Sequence, residues 1–157
     1  MAKKLERVFV STRFGRFCLE TSEKGLYRLC FPGRFVPGSA AKKNPHPAAV
    51  RLIRQYLEGK PVSFKKLPLD LAGFTLFERK VLRALARVSR GRSISYQALA
   101  ANAGNRLASR AVGMVMKKNR LPIILPCHRV LRSDGSLGGF SQGLGWKKRL
   151  LFLEARQ

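Results

Sequence analysis

The chain has 157 residues, 45% of them hydrophobic. That is enough for one mid-sized domain or two small ones with a real core, and too apolar for wholesale disorder. Lys and Arg number 32 against 8 Asp and Glu, a formal charge of +24. The imbalance argues against an ordinary neutral enzyme of small metabolites and for a polyanionic partner, nucleic acid ahead of an anionic membrane surface, with bare solubility as the remaining reading. Apolar runs such as Leu121-Pro122-Ile123-Ile124-Leu125 are far too short to cross a membrane. The start, Met1-Ala2-Lys3-Lys4-Leu5-Glu6-Arg7, is basic without an apolar signal core. The expectation is therefore a cytoplasmic protein, or a nuclear one in a eukaryote, with no membrane partner. Its 3 cysteines are too sparse for a disulfide framework, although a Cys18–Cys30 bridge stays open.

The first half reads as strands. Residues 7–11 and 15–20 are short, aromatic or β-branched, and separated by a turn containing Gly15. A third strand, residues 25–31, stops at Pro32-Gly33, and a loop rich in Pro, Gly, Ala and Lys occupies 32–47. Ala49, Val50, Ile53 and Leu57 then recur at helical spacing until Gly59 and Pro61. Residues 60–72 are expected to form a strand and a linker, and the composition shifts near Ala72-Gly73. This predicts one domain over 1–72 and a second over 73–157.

The second half reads as helices. Thr75-x-x-Glu78 is a capping box, in which hydroxyl and carboxylate satisfy free amides at a helix start. Phe77, Val81, Leu82 and Leu85 mark its apolar face. Either Ser93 or Ser95 caps a short helix from Tyr96 to Ala103, closed by Gly104-Asn105. A third helix is expected from about Leu107 to Lys118. Ala108, Ala111, Val112, Val115 and Met116 fall on its buried side, with Arg110, Gly113, Met114 and Lys117 opposite. A helix, a glycine turn and a helix with an exposed basic face outline a helix-turn-helix. Residues 1–72 carry 15 basic and 5 acidic side chains, and residues 73–157 carry 17 and 3, so the half with this motif is the more basic.

The richest stretch chemically is Leu121 to Leu131. Its Ile-Ile-Leu run suggests a short buried strand or extended segment between Pro122 and Pro126, which fix φ and bias the preceding residues to extended geometry. Cys127 sits there rigidly, as a nucleophile should, with His128 next to it. In an extended chain consecutive side chains point to opposite sides, so contact between the two needs a local turn or a bridging water. A free thiol is mostly protonated at neutral pH and needs a base or a positive field to react. A lone buried cysteine is more often plain core, and a lone histidine a structural one. The string Pro-Cys-His-Arg-Val outweighs both readings.

Pro126-Cys127-His128-Arg129-Val130 resembles the active-site signature of the O6-alkylguanine-DNA alkyltransferases, or methylated-DNA–protein-cysteine methyltransferases. The likeness extends over residues 74–155, through Ser95-Tyr96-Gln97-Ala98-Leu99-Ala100, Arg110-Ala111-Val112-Gly113, Asn119, Gly139-Phe140-Ser141 and Leu150-Leu151-x-x-Glu154. It implies an α+β fold: a small β-sheet domain with a helix, ribonuclease-H-like, followed by a mostly helical, winged-helix-like domain. It further implies irreversible transfer of an alkyl group from O6-alkylguanine in double-stranded DNA to Cys127, after the base is flipped out. One protein, without a cofactor and acting as a monomer, would then repair one base.

By the same resemblance His128 takes the thiol proton through a water, Glu154 orients His128, and Asn119 is the hinge between the recognition helix and the nucleophile segment. Tyr96 crowds a phosphate and hydrogen-bonds guanine, and Arg110 fills the vacated space in the duplex. Gly113, Met114, Lys117, Arg129, Val130, Phe140 and Ser141 complete the DNA- and base-binding set. The carbonyls of Cys127 and Val130 and the amide of Ser141 hold the guanine edge. Two positions depart from the family pattern: Phe140 replaces a usual tyrosine, and Met114 stands where many members have Gly or Ala. Some members hold an N-terminal zinc, but Cys18, Cys30 and His46 are too few and too poorly spaced, so no metal is expected. Two rival readings are a non-catalytic lesion-binding protein, which would lack the cysteine, and a winged-helix regulator, which gives no reason for the Cys-His pair or Glu154.

Overall fold

The computed structural model describes residues 3–34 and 40–156. The chain is α+β and divides into two compact units, Met1–Leu71 and Ala72–Gln157. In the first, β1 (Glu6–Thr12), β2 (Gly15–Ser22) and β3 (Gly25–Cys30) form an antiparallel meander in the order β1-β2-β3. Alternation puts Val10, Phe17, Leu19 and Leu29 into the core, where each is at most 2% exposed. Helix α1 (Pro47–Leu57) starts on proline, whose fixed φ suits the first helical position, and buries Ala49, Val50, Ile53, Tyr56 and Leu57. The expected strand within 60–72 is absent. That segment is coil with a single parallel bridge, Leu26 to Leu69, its pairing limited by Pro61 and Pro68, which lack an amide donor. Cys18 and Cys30 face each other across β2 and β3 as free thiols.

The second unit opens with α2 (Leu76–Ala86), whose capping box forms in full: Thr75 accepts from the Glu78 amide, and the Glu78 carboxylate accepts from the Thr75 amide. Val81, Leu82 and Leu85 are buried, and Phe77 is only half-buried. A two-residue strand β4 (Ile94–Ser95) precedes α3 (Tyr96–Asn102), and Ser95 is the residue that caps it, accepting from the Ala98 amide at 3.0 Å. Helix α3 ends in a left-handed cap. Gly104, with φ +94°, donates to the Ala101 carbonyl and Asn105 donates to the Ala100 carbonyl, so the chain turns sharply towards α4.

Helix α4 (Ser109–Lys118) starts two residues later than the apolar spacing suggests. Its buried face is narrower as well: Val112, Val115 and Met116 are buried, while Ala108 is intermediate and Ala111 exposed. Contacts among α2, α3 and α4 make the core of the unit, with Leu99 and Val112 fully buried. Strand β5 (Val130–Leu131) pairs in parallel with β4, and α5 (Leu144–Ala155) closes the chain. No helix among the described residues is long and apolar enough to cross a membrane.

Candidate active site

The segment that carries the nucleophile is a knot of turns and not a strand. Leu125 donates to the Leu121 carbonyl at 2.8 Å, and Cys127 donates to the Leu125 carbonyl at 2.8 Å. Ile123 adopts φ +76°, a left-handed conformation that a β-branched residue rarely takes. Two prolines and the need to bury Leu121, Ile123, Ile124 and Leu125 together fold this stretch back on itself. Asn119, at the C-terminal cap of α4 and 5% exposed, clamps the turn: its Nδ2 donates to the Leu125 carbonyl at 2.9 Å, and its Oδ1 accepts from the Leu121 amide at 3.0 Å. It thus ties the end of α4 to the residue two before Cys127.

Cys127, His128 and Arg129 form one 3-10 turn, so successive side chains leave about 120° apart rather than on opposite faces. Cys127 is 4% exposed. Burial pushes its thiol from 9.0 up to about 11, against the opposing pull of a side-chain hydrogen bond from Asn119, the Lys147 cation and the amides of its own turn. His128 is wholly buried. Its Nε2 lies 2.7 Å from Glu154 Oε1. Desolvation lowers its pKa, against the raising effect of Glu154, so the ring is held neutral. The tautomer protonated on Nε2 donates to Glu154 and leaves its lone pair on Nδ1.

Arg129 is the expected DNA-contacting residue that the fold uses otherwise. It is 9% exposed. Its Nη2 and Nε reach Glu154 at 2.8 and 3.0 Å, and its Nη1 donates to the Val88 carbonyl. A guanidinium locked on a buried carboxylate holds Glu154 in place and has no fork left for a phosphate. Tyr96 is half-buried, and burial above all, with the charge of Cys127 second, raises its pKa. Gly138, with φ +68°, leaves room for its ring: a Cβ there would come 2.8 Å from the Tyr96 hydroxyl. Phe140 is half-buried and Ser141 exposed on the loop that continues from Gly138. Arg110, Met114 and Lys117 are exposed on α4, and Gly113 is partly so with open space around its Cα.

Lys147 is the site residue that sequence reasoning missed. It is 0% exposed. Its ammonium donates to the carbonyls of Val130 at 2.7 Å, Gly139 at 3.1 Å, and Leu137. This pins the loop 132–143 to β5. Burial brings its pKa from 10.5 down to about 8, partly offset by Cys127. The Val130 carbonyl thus accepts from Lys147, and the Cys127 carbonyl accepts from the Val130 amide. The signal for Lys147 in the sequence is helical spacing, because Lys147, Leu150 and Glu154 lie at i, i+3 and i+7. No cluster of three or more His, Cys, Asp or Glu able to hold a metal occurs among the described residues.

A buried thiol, a neutral histidine braced by a carboxylate and a helix-turn-helix define a nucleic-acid-binding protein whose chemistry is alkyl or acyl transfer to sulfur. Residues 76–156 match the family described as "6-O-methylguanine DNA methyltransferase, DNA binding domain". The chain is 33% identical to the human methylated-DNA–protein-cysteine methyltransferase over 98% of its own length and 82% of that protein's. It is 40% identical to the protein of that name from Methanothermobacter thermautotrophicus over 65% of this chain and 57% of that one. It also superposes on the crystal structure of Mycobacterium tuberculosis OGT in complex with DNA with a TM-score of 0.76, at 31% identity over 96% of this chain and 92% of the other. The chain belongs to the methylated-DNA–protein-cysteine methyltransferase family.

Proposed function

We propose that this protein reverses O6-alkylguanine damage in duplex DNA by moving the alkyl group onto its own Cys127, once per molecule, as a cytoplasmic monomer without a cofactor. The observation that carries this reading is the turn Cys127–Arg129, which joins a buried thiol to a histidine held at 2.7 Å by a buried glutamate. A thiol at about 11 is ionised in roughly one molecule in ten thousand at pH 7, so deprotonation has to accompany attack. His128 is neutral and can accept that proton, through a water as the family resemblance implies, while Glu154 stabilises the imidazolium that results.

Sulfur attacks the alkyl carbon, the carbon–O6 bond breaks, and its electron pair leaves with guanine, which takes up a proton. Protein and DNA exchange one alkyl group for one proton. The thioether is not hydrolysed, which ends the cycle. The target oxygen lies within the base stack, so the guanine must be extruded; Arg110 on exposed α4 fills its place and Tyr96 meets it.

Incubated with a duplex containing O6-methylguanine, the protein should gain the mass of one methylene on the peptide containing Cys127 and stop at one equivalent. Continued turnover, or modification of Cys18 or Cys30 instead, would refute the reading.

A further inference from the structure

The uncovered face of α4 is not a plain basic surface. Leu107, in the turn that leads into the helix, is 93% exposed, and Met114 is 57% exposed. Arg110 and Ala111 are exposed between them, and Lys117 and Lys118 continue the strip. Helical periodicity puts Arg110, Met114 and Lys117 on one side. A leucine just before an N-cap ordinarily packs on the fourth residue of the helix. Here that residue is Val112, which is fully buried in the core, while Leu107 stands in solvent. Folding therefore gains little from either apolar side chain.

We propose that Leu107 and Met114 flank Arg110 as apolar contacts to the floor and sugar walls of a duplex groove, giving DNA affinity a component that salt does not weaken. The proposal rests on the repair reading above. The occupant is set by charge: Arg106, Arg110 and Lys117 are exposed on this segment, Lys118 is paired with Glu78 of α2, and no acidic residue occurs between Asn105 and Arg132. A second copy of the chain would set this positive strip against another. Duplex DNA offers the complement, phosphate rails on either side of apolar deoxyribose faces and base edges, and minor-groove proteins use Leu and Met as wedges there.

The two kinds of contact separate by their salt response. A cation on a phosphate releases counterions and adds about 0.9 to the slope of log affinity against log salt, whereas burial of an apolar side chain adds nothing to it. The experiment measures binding of the full chain to an undamaged duplex between about 50 and 200 mM salt. Leu107→Ala and Met114→Ala should each weaken binding about fivefold, and together about twenty-fivefold, at every salt concentration and with an unchanged slope. Lys117→Ala should flatten the slope by about 0.9. Thermal midpoints should stay at the wild-type value, because both side chains are exposed.

Wild-type affinity in the double variant overturns the proposal, and so does a loss that appears as a change of slope. Substitutions that dissolve a homo-oligomer and leave DNA affinity intact overturn it too, assigning the face to self-association. A wild-type protein that binds no duplex and accepts no alkyl group brings down the repair reading itself. One that does both, with variants indistinguishable from it, brings down the wedges alone.

Discussion

Cys18 in the first unit and Cys127 in the second begin with the same handicap. Each is 4% exposed, and burial pushes each thiol from 9.0 up to about 11. Their company differs. Cys18 faces Cys30 across the ladder and has Glu20 on its own strand, and both push it further up against weaker pulls from Arg7 and Arg16. Around Cys127, Asn119, Lys147 and the amides of the turn all favour the thiolate. A displaced thiol pKa therefore does not mark a nucleophile; the groups that stabilise the anion and receive its proton do.

The sharpest way to break this comparison is to remove each thiol in turn. Cys127→Ala should abolish alkyl transfer to the protein, scored by mass spectrometry, while Cys18→Ala and Cys30→Ala keep it within about twofold, as expected for substitutions away from the reacting groups. Residual transfer in Cys127→Ala would mean that the first unit holds an acceptor after all.

The two buried glutamates make the next contrast. Both are 3% exposed. Glu154→Gln leaves the Arg129 guanidinium, whose side chain is 11% exposed, as a buried cation without its counter-charge. Chemical denaturation should show a loss of about 3–5 kcal/mol. Alkyl transfer should fall by about 10²-fold or more, since His128 loses its orienting partner. Glu20 pairs with Arg7 and Arg28, whose side chains are 23% and 48% exposed and can return to water. Glu20→Gln should therefore lose only about 1 kcal/mol and leave transfer unchanged. Equal losses would show that burial of the carboxylate alone, and not of its cation, sets the penalty.

Two asparagines sharpen the contrast at smaller scale. Asn119 satisfies two backbone groups inside the knot before Cys127, so Asn119→Ala should lose about 1–3 kcal/mol in denaturation and slow transfer as the turn around Ile123 relaxes. Asn44 accepts from the His46 amide in a part-buried loop of the first unit, and Asn44→Ala should lose about 0.5 kcal/mol with no effect on transfer.

Much of this is legible in the sequence, for local reasons. The strands of the first unit alternate, and the Thr75–Glu78 box and the Gly104-Asn105 stop are decided within a few residues, so pattern and structure agree there. Cys127, His128 and Glu154 come together through the family signature; spacing alone does not bring residues 26 apart into contact. The knot at 119–127 reads as extended because Ile-Ile-Leu has high strand propensity, whereas the long-range clamp from Asn119 decides its shape. Arg129 reads as a DNA contact by family position; its burial against Glu154 is a tertiary fact. Helix α5 leaves no apolar stripe in the sequence, since its inward face carries Lys147 and Glu154 while Phe152 is 64% exposed.

The contrast that best discriminates between the two thiols lies in the alkaline limb of stability. A thiol with a folded pKa of about 11 and an unfolded one near 9.0 binds its proton more tightly in the folded chain. The stability it contributes is complete below about pH 9 and is lost as pH rises towards 11, by about 2–3 kcal/mol for each fully buried thiol. Lys147 acts in the opposite sense. Its pKa falls from 10.5 to about 8 on folding, so the unfolded chain binds more protons between those values and stability rises across that window. Cys30, whose pKa burial also raises, adds to the fall, so wild type should lose stability at alkaline pH along a slope that Lys147 blunts. Cys18→Ala should remove a fall that no lysine in its neighbourhood opposes, and denaturation midpoints near pH 10.5 should rise relative to wild type. Cys127→Ala should remove the other fall and also the thiolate that favours charge on Lys147, so stability should rise between about pH 8 and 9, before Cys18 and Cys30 begin to titrate. If neither substitution alters the alkaline profile, burial is not what keeps these thiols protonated, and the base assigned to His128 would have little to do.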